Sequence, residues 1–139
     1  MKYLLDTCLI SALVKKVPNS AVVSWLDEQD EQSLFLSVLT IGELQKGICK
    51  LSDGKRKDEL QAWVEHDLTL RFMGRIIDID MEAMLIWGRL QEESEQKGES
   101  LPVMDSLIAA TAKAHGLAVV TRNVKDMERC QVRVCNPWG

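Results

Sequence analysis

Lys2-Tyr3-Leu4-Leu5-Asp6-Thr7-Cys8-Leu9-Ile10-Ser11-Ala12-Leu13-Val14 is the stretch that decides how this chain is read. Residues 2–5 form a short apolar run that stops at an acid, and Leu9, Ile10, Leu13 and Val14 then recur at helical spacing. A strand followed by a helix, with a carboxylate at the joint, is a pattern that returns downstream. Ser33-Leu34-Phe35-Leu36-Ser37-Val38-Leu39 reads as a buried strand, and the helix after it places Ile41, Leu44, Ile48 and Leu51 on one face. Between the two units Asn19 or Ser20 can cap a short helix bearing Val22, Val23, Trp25 and Leu26.

Ser52-Asp53-Gly54 turns the chain into a further helix with Leu60, Trp63, Val64 and Leu68, so residues 41–68 are predicted to form an αα-hairpin. Residues 75–80 make a third short strand. Met81, Met84, Leu85 and Gly88 then open a helix whose later part, Gln91 to Gln96, is polar and expected in solvent. Pro102 suits the first turn of a helix carrying Met104, Leu107, Ile108, Thr111 and Ala112, closed by Gly116. Leu117-Ala118-Val119-Val120-Thr121 is the clearest strand, and Val132-Arg133-Val134-Cys135 a last short one before Asn136-Pro137-Trp138. Strands alternating with helices predict an α/β fold: a central parallel sheet of four to five strands, flanked by helices and joined by right-handed crossovers.

With 139 residues, 46% of them hydrophobic, the chain can fill one core and is expected to be a single domain over 1–139. No apolar stretch is long enough to span a bilayer, and an acid at position 6 comes too early for a secretory leader, so no membrane contact and a cytoplasmic location are expected. The cysteines Cys8, Cys49, Cys130 and Cys135 lack CxxC spacing and read as reduced, unligated thiols. A net charge of -4 is unlike that of a typical nucleic-acid binder. A carboxylate site that a cation neutralises would itself produce such a balance, and Lys46, Lys50, Lys55, Arg56 and Lys57 are gathered in one stretch. Those lysines and the arginine fit either a solvated helix face or a phosphate track.

Each acid at a joint has a local explanation. Asp6 can cap the helix it precedes. Thr40-Ile41-Gly42-Glu43 fits a capping box, in which Glu43 reaches back to the Thr40 backbone N–H. Asp105 lies in a first helical turn, where the peptide dipoles favour negative charge. Together they read differently, because an open α/β sheet places its ligands beyond the carboxyl ends of its strands, the edge that all three positions favour. Thr121-Arg122-Asn123 leaves the fourth strand at that edge too. Converging carboxylates repel one another unless a cation intervenes, and a hard divalent ion held by carboxylates, water and phosphate oxygens points to phosphodiester chemistry.

Leu4-Leu5-Asp6-Thr7, Ser37-Val38-Leu39-Thr40-Ile41-Gly42-Glu43-Leu44, Leu101-Pro102-Val103-Met104-Asp105-Ser106-Leu107-Ile108-Ala109-Ala110 and Val120-Thr121-Arg122-Asn123-Val124-Lys125-Asp126 resemble, in order and spacing, the PIN-domain ribonucleases. The likeness is greatest to the VapC toxins of bacterial type II toxin–antitoxin modules, in their FitB-like branch, and it spans the whole chain. It implies a PIN-like domain acting as a Mg2+- or Mn2+-dependent endoribonuclease, with Asp6, Glu43 and Asp105 as catalytic metal ligands and Asn123 at a fourth position that is often acidic. Asp126 is a further acid nearby, Thr7 would orient Asp6, and Arg122 reads either as a phosphate contact or as a surface arginine. The family's chemistry is in-line attack of water, leaving a 3′-hydroxyl and a 5′-phosphate. Cys8 stands where many members carry Asn, Ala12 where this branch is often acidic, and Asn123 is neutral. These departures are expected to weaken metal binding without abolishing the site.

The likeness also implies partners: RNA as substrate, a second copy in a homodimer, and a cognate antitoxin. A basic side chain from the antitoxin's C-terminal segment would pair with Asp6 and Asp105 while its apolar residues fill the groove between the helical arms. Trp63, Trp87 and Met84 offer apolar surface for a two-fold interface, or else ordinary core packing. Other classes fit less well. A phosphoacceptor receiver domain needs an acidic pair after the first strand and a lysine after the last, and a haloacid-type phosphatase needs Asp-x-Asp where Cys8 intervenes. A PIN-fold binding module that is catalytically weak or inactive remains the alternative to the enzyme.

Overall fold

A computed structural model describes residues 1–138. The opening apolar run becomes β1 (Tyr3–Leu5), the middle strand of a five-stranded sheet that also contains β2 (Leu34–Ser37), β3 (Ile76–Ile77), β4 (Ala118–Val120) and β5 (Val134–Cys135). The order is β3-β2-β1-β4-β5 and every pairing is parallel, with Leu4 beside both Phe35 and Val119. The predicted α/β architecture is therefore present. Successive residues of a strand face opposite sides of the sheet. Leu4 and Val119 enter one core cluster, Leu5 and Val120 the other.

The Leu5 side is covered by α1 (Thr7–Leu13), α2 (Ser20–Glu28), α3 (Val38–Cys49) and α4 (Lys55–Ala62), which runs on through a π-helical segment Trp63–Leu68 into the single turn α5 (Thr69–Arg71). The opposite side is covered by α6 (Met81–Gln96), α7 (Val103–His115) and α8 (Val124–Arg129). The hairpin predicted for residues 41–68 is thus built from α3 and α4, tied by a reciprocal amide pair between Gln45 and Gln61 at 2.7 Å. Its second arm widens where the Thr69 hydroxyl donates to Val64 O at 2.9 Å, and Val64 and Leu68 are buried there. Asn19 caps α2 as expected, its Oδ1 accepting from Ala21 and Val22 N–H. Gly116 ends α7 at φ 67, a left-handed conformation that glycine adopts without the Cβ clash. All four thiols are free.

Several local expectations need correction. The second strand stops at Ser37, whose hydroxyl accepts from Leu39 N–H at 3.1 Å and so starts α3 at Val38. Thr40 then lies inside the helix, no capping box forms, and Glu43 is released to point elsewhere. The third strand is only Ile76–Ile77, and just ahead of it Arg75, whose carbonyl accepts from Leu36 N–H at 2.9 Å, turns its guanidinium inward. That buried group donates to the carbonyls of Glu31, Leu34 and Arg71, pairs with Glu31 Oε1 at 3.4 Å and lies 5.1 Å from the Phe72 ring. Asp80 caps α6 through Ala83 N–H. Gln91 to Gln96 is not wholly in solvent, since Ser94 is buried with its hydroxyl on Glu99 O. Helix α8 was not anticipated. Trp63 and Trp87 belong to the margins of the two core clusters, so they are packing residues; the apolar side chains left exposed include Met81, Met84 and Leu85 on α6 and Val103 on α7, besides Leu51, Leu70, Met73 and Ile79 elsewhere.

Candidate active site

The sheet order puts β1 between β2 and β4, so chain segments leave the carboxyl edge of β1 in one direction and that of β4 in the other. This is the crevice where open α/β sheets take ligands. Asp6 sits at its floor, only 6% exposed, in an extended conformation that ends β1 and caps α1. Its Oδ1 accepts from Thr7 N–H at 2.8 Å, and its Oδ2 accepts from the Thr121 hydroxyl at 2.8 Å with Cys8 Sγ 3.8 Å away. The capping role foreseen for Asp6 is real, and it leaves the second oxygen to the Thr121 hydroxyl and the Cys8 thiol.

Glu43 reaches the same place from the second turn of α3. Its Oε1 accepts from the Thr7 hydroxyl at 2.5 Å, and Thr40 Oγ1 lies 3.4 Å from that hydroxyl. Thr7 therefore fastens Glu43 to the α1 end of the crevice, while its backbone N–H holds Asp6. Asp105 arrives from the first turn of α7, half-buried, with Oδ2 accepting from Asn123 Nδ2 at 3.1 Å. Burial, then the charges of Asp6, Asp126 and Glu43, push the Asp105 carboxyl up to about 6, against the opposing pull of the Asn123 amide. The acids are thus close enough to repel.

Thr121 joins the two halves. Its buried hydroxyl donates to Asp6 and accepts from Asn123 N–H at 3.0 Å, so a continuous chain runs Asp6–Thr121–Asn123–Asp105. Sequence reasoning placed Thr121 at the edge but gave it no role; the available signal was a polar residue closing an otherwise apolar run. Ser106 was missed as well. Its buried hydroxyl receives Trp87 Nε1 at 3.0 Å and Gln91 Nε2 at 2.9 Å and donates to Val103 O, which locks the turn that carries Asp105 onto α6. Asp126 contributes charge to the crevice, but its carboxylate is paired with Arg129 at 2.6 Å. Arg122 stays at the rim, exposed, 4.8 Å from the ring centre of Trp138. Burial raises the Cys8 thiol above its ordinary value, which keeps it protonated beside Asp6.

Among the described residues no three acid, histidine or cysteine side chains stand close enough together to share one ion. A Mg2+ ion does not demand that: it keeps several waters and takes one or two carboxylates plus substrate oxygens. Asp6 Oδ2, Glu43 and Asp105 supply hard oxygen donors, and their mutual repulsion is what a cation relieves, so the set fits such an ion. Beside Glu43 a groove of about 230 Å3 opens between α1, α3 and α4, lined by Val14, Leu44, Ile48, Leu51, Leu60 and Trp63. No helix among the described residues is long and apolar enough to cross a membrane.

Comparison with known proteins gives the family. The family model described as PIN domain matches residues 3–130. The chain is 36% identical over 135 residues to Toxin FitB of Neisseria gonorrhoeae, covering 97% of each. It is 35% identical over 134 residues to VapC ribonuclease Y4jK of Sinorhizobium fredii, covering 96% of each. The crystal structure of FitAcB from Neisseria gonorrhoeae superposes with a TM-score of 0.92 at 36% identity, covering 98% of both chains. Sequence blocks and sheet order thus converge with these likenesses: the chain belongs to the PIN-domain family.

Proposed function

We propose that this chain is a divalent-metal-dependent endoribonuclease, the toxin of a toxin–antitoxin pair, which cuts cellular RNA in the cytoplasm and so halts translation and growth. The observation that carries the reading is the crevice bordered by Asp6, Glu43 and Asp105, near enough for their charges to act on one another, with Asp105 raised to about 6 by burial and by the neighbouring charges. Its relatives include proteins named toxin FitB and VapC ribonuclease, which supports both halves of the proposal.

Asp6, Glu43 and Asp105 would hold a Mg2+ or Mn2+ ion, the ion itself supplying polarisation of the scissile phosphate and a lowered pKa for water. The rest is done by the chain. Thr7 and Thr121 fix the oxygens of Glu43 and Asp6, and Asn123 Nδ2 keeps Asp105 turned into the crevice. Cleavage would leave a 3′-hydroxyl and a 5′-phosphate. The apolar groove ending at Glu43 suits the C-terminal segment of an antitoxin, with a basic residue paired to the acids. The exposed apolar residues of α6 suit a second copy of the chain.

Induced expression of the chain, with sequencing of the cellular RNA ends, tests this. New 5′-phosphate ends should appear with growth arrest, and co-expression of the neighbouring gene should suppress both. Growth arrest without new RNA ends would refute the ribonuclease. A second reading, a PIN-fold binding module without turnover, draws on the acids standing too far apart to share an ion in this arrangement; it predicts RNA retention without new ends.

A further inference from the structure

Arg122 leaves β4 between two residues that touch the acids: Thr121 donates to Asp6, and Asn123 donates to Asp105. Its own backbone N–H is engaged with Cys8 Sγ at 3.5 Å. The main chain is therefore pinned at the lip of the crevice, and the side chain extends over the rim. Trp138 is brought there by the neighbouring strand. Val120 is in register with Cys135, Thr121 N–H donates to Cys135 O at 3.0 Å, and Asn136 Oδ1 accepts from Trp138 N–H at 3.0 Å, which folds the chain back after the buried Pro137. The indole packs against the core cluster on one side and carries the Arg122 guanidinium over its ring at 4.8 Å.

Among the described residues nothing in this pair is needed to neutralise a protein acid. Arg129, on the adjacent helix, is paired with Asp126. Arg122 has no carboxylate within ion-pair distance among the described residues. Its guanidinium is exposed, positively charged and already restrained by the indole, so little further freedom is lost when it binds. A chain of net charge -4 with converging carboxylates repels a polyanion, and a fixed cation beside them offsets that repulsion where the strand must approach. Guanidinium planes and aromatic faces are the surfaces on which unpaired RNA bases stack.

We propose that the Arg122–Trp138 stack is a nucleotide subsite beside the scissile phosphate: an unpaired base of the RNA lies on the open plane of the guanidinium, whose edge donates to that nucleotide's phosphate. This rests on the ribonuclease reading and adds where the strand is gripped. Because a base inside a duplex has no free face, the subsite selects single-stranded RNA.

The test measures KM and kcat on a mixed-sequence single-stranded RNA, with melting temperature alongside. Arg122→Gln should raise KM about tenfold with kcat within about twofold and an unchanged melting temperature. Arg122→Lys, which keeps charge and loses the plane, should recover less than half of that loss. Trp138→Phe should retain most of the affinity, and Trp138→Leu, if it folds, should behave like Arg122→Gln. A KM for Arg122→Gln within about twofold of the parent overturns the subsite, and so does full recovery by Arg122→Lys, which would leave charge alone as the cause. If the parent cleaves nothing, the ribonuclease reading fails, and fluorescence anisotropy of the same RNA in EDTA then decides the subsite alone. About tenfold weaker binding by Arg122→Gln supports it; equal binding, or none by the parent, overturns it.

Discussion

Asp105→Asn should make the metal-free protein more stable while destroying its activity. The Asp105 carboxyl is raised from 3.8 to about 6, first by burial and then by Asp6, Asp126 and Glu43. Two units correspond to roughly 3 kcal/mol at full strength. The crevice is open to water and salt, which screens the repulsion, so about 1 kcal/mol is the expected remainder. The folded state binds this proton more tightly than the unfolded chain does. The group's stabilising contribution is therefore complete below about pH 4, falls as pH rises toward 6, and is gone above it. Asn keeps the acceptor for Asn123 Nδ2 and carries no charge, so the variant should lack this loss. In EDTA at pH 7.5 it should melt about 3 °C above the parent, with the gap closing toward pH 4. Saturating Mg2+ should raise the parent's melting point more than the variant's, since only the parent retains the full set of proposed ligands. Thermal unfolding followed by circular dichroism across pH, with and without Mg2+, measures this. A variant that melts below the parent in EDTA at pH 7.5, with the same pH profile, would refute the claim that the acids repel.

Thr121→Val removes the hydroxyl that joins Asp6 to Asn123 and should lower turnover about 10- to 100-fold for a stability loss near 1 kcal/mol, read by RNA cleavage and urea unfolding on the same preparation. Arg75→Met strands the carbonyls of Glu31, Leu34 and Arg71 and should cost about 3 kcal/mol, with turnover per folded molecule unchanged because the cluster lies at the opposite edge of the sheet from the acids. The Ala83 N–H, and behind it His115, hold the Asp80 carboxyl below its ordinary value, so its contribution is present above about pH 4 and lost as pH falls further. Asp80→Ala should flatten that acid limb of the stability profile, which unfolding midpoints between pH 3 and 5 would show; an unchanged limb would count against the cap.

The alternation of strand and helix was legible because apolar runs and helical spacing are local, and the parallel sheet follows from them. Element ends were harder. Ser37 capped a helix inside a run that reads as uninterrupted strand, since a serine flanked by Leu36 and Val38 gives no apolar break. β3 kept only Ile76–Ile77 of the residues that read as strand, and the Arg75 guanidinium ahead of it bonds carbonyls contributed from β2 and α5, partners that no local pattern announces. Helix α8 is short, with Met127 alone buried on it, too few apolar positions to establish a period. The acids of the proposed site, Asp6, Glu43 and Asp105, could be named from their joints. The contacts that hold them could not, because Thr7 meets Glu43 and Thr121 meets Asp6 across 36 and 115 positions of sequence.

Binding of a divalent ion by these acids, with cleavage of RNA, is the proposed activity. Its most direct test is cleavage of single-stranded RNA by the purified parent, Asp6→Asn and Asp105→Asn proteins through a Mg2+ and Mn2+ titration that starts in EDTA. The parent should be silent in EDTA and rise with metal, beside two folded variants that remain near background throughout. Parental activity that persists in EDTA, or either variant cutting at the parental rate, would contradict it.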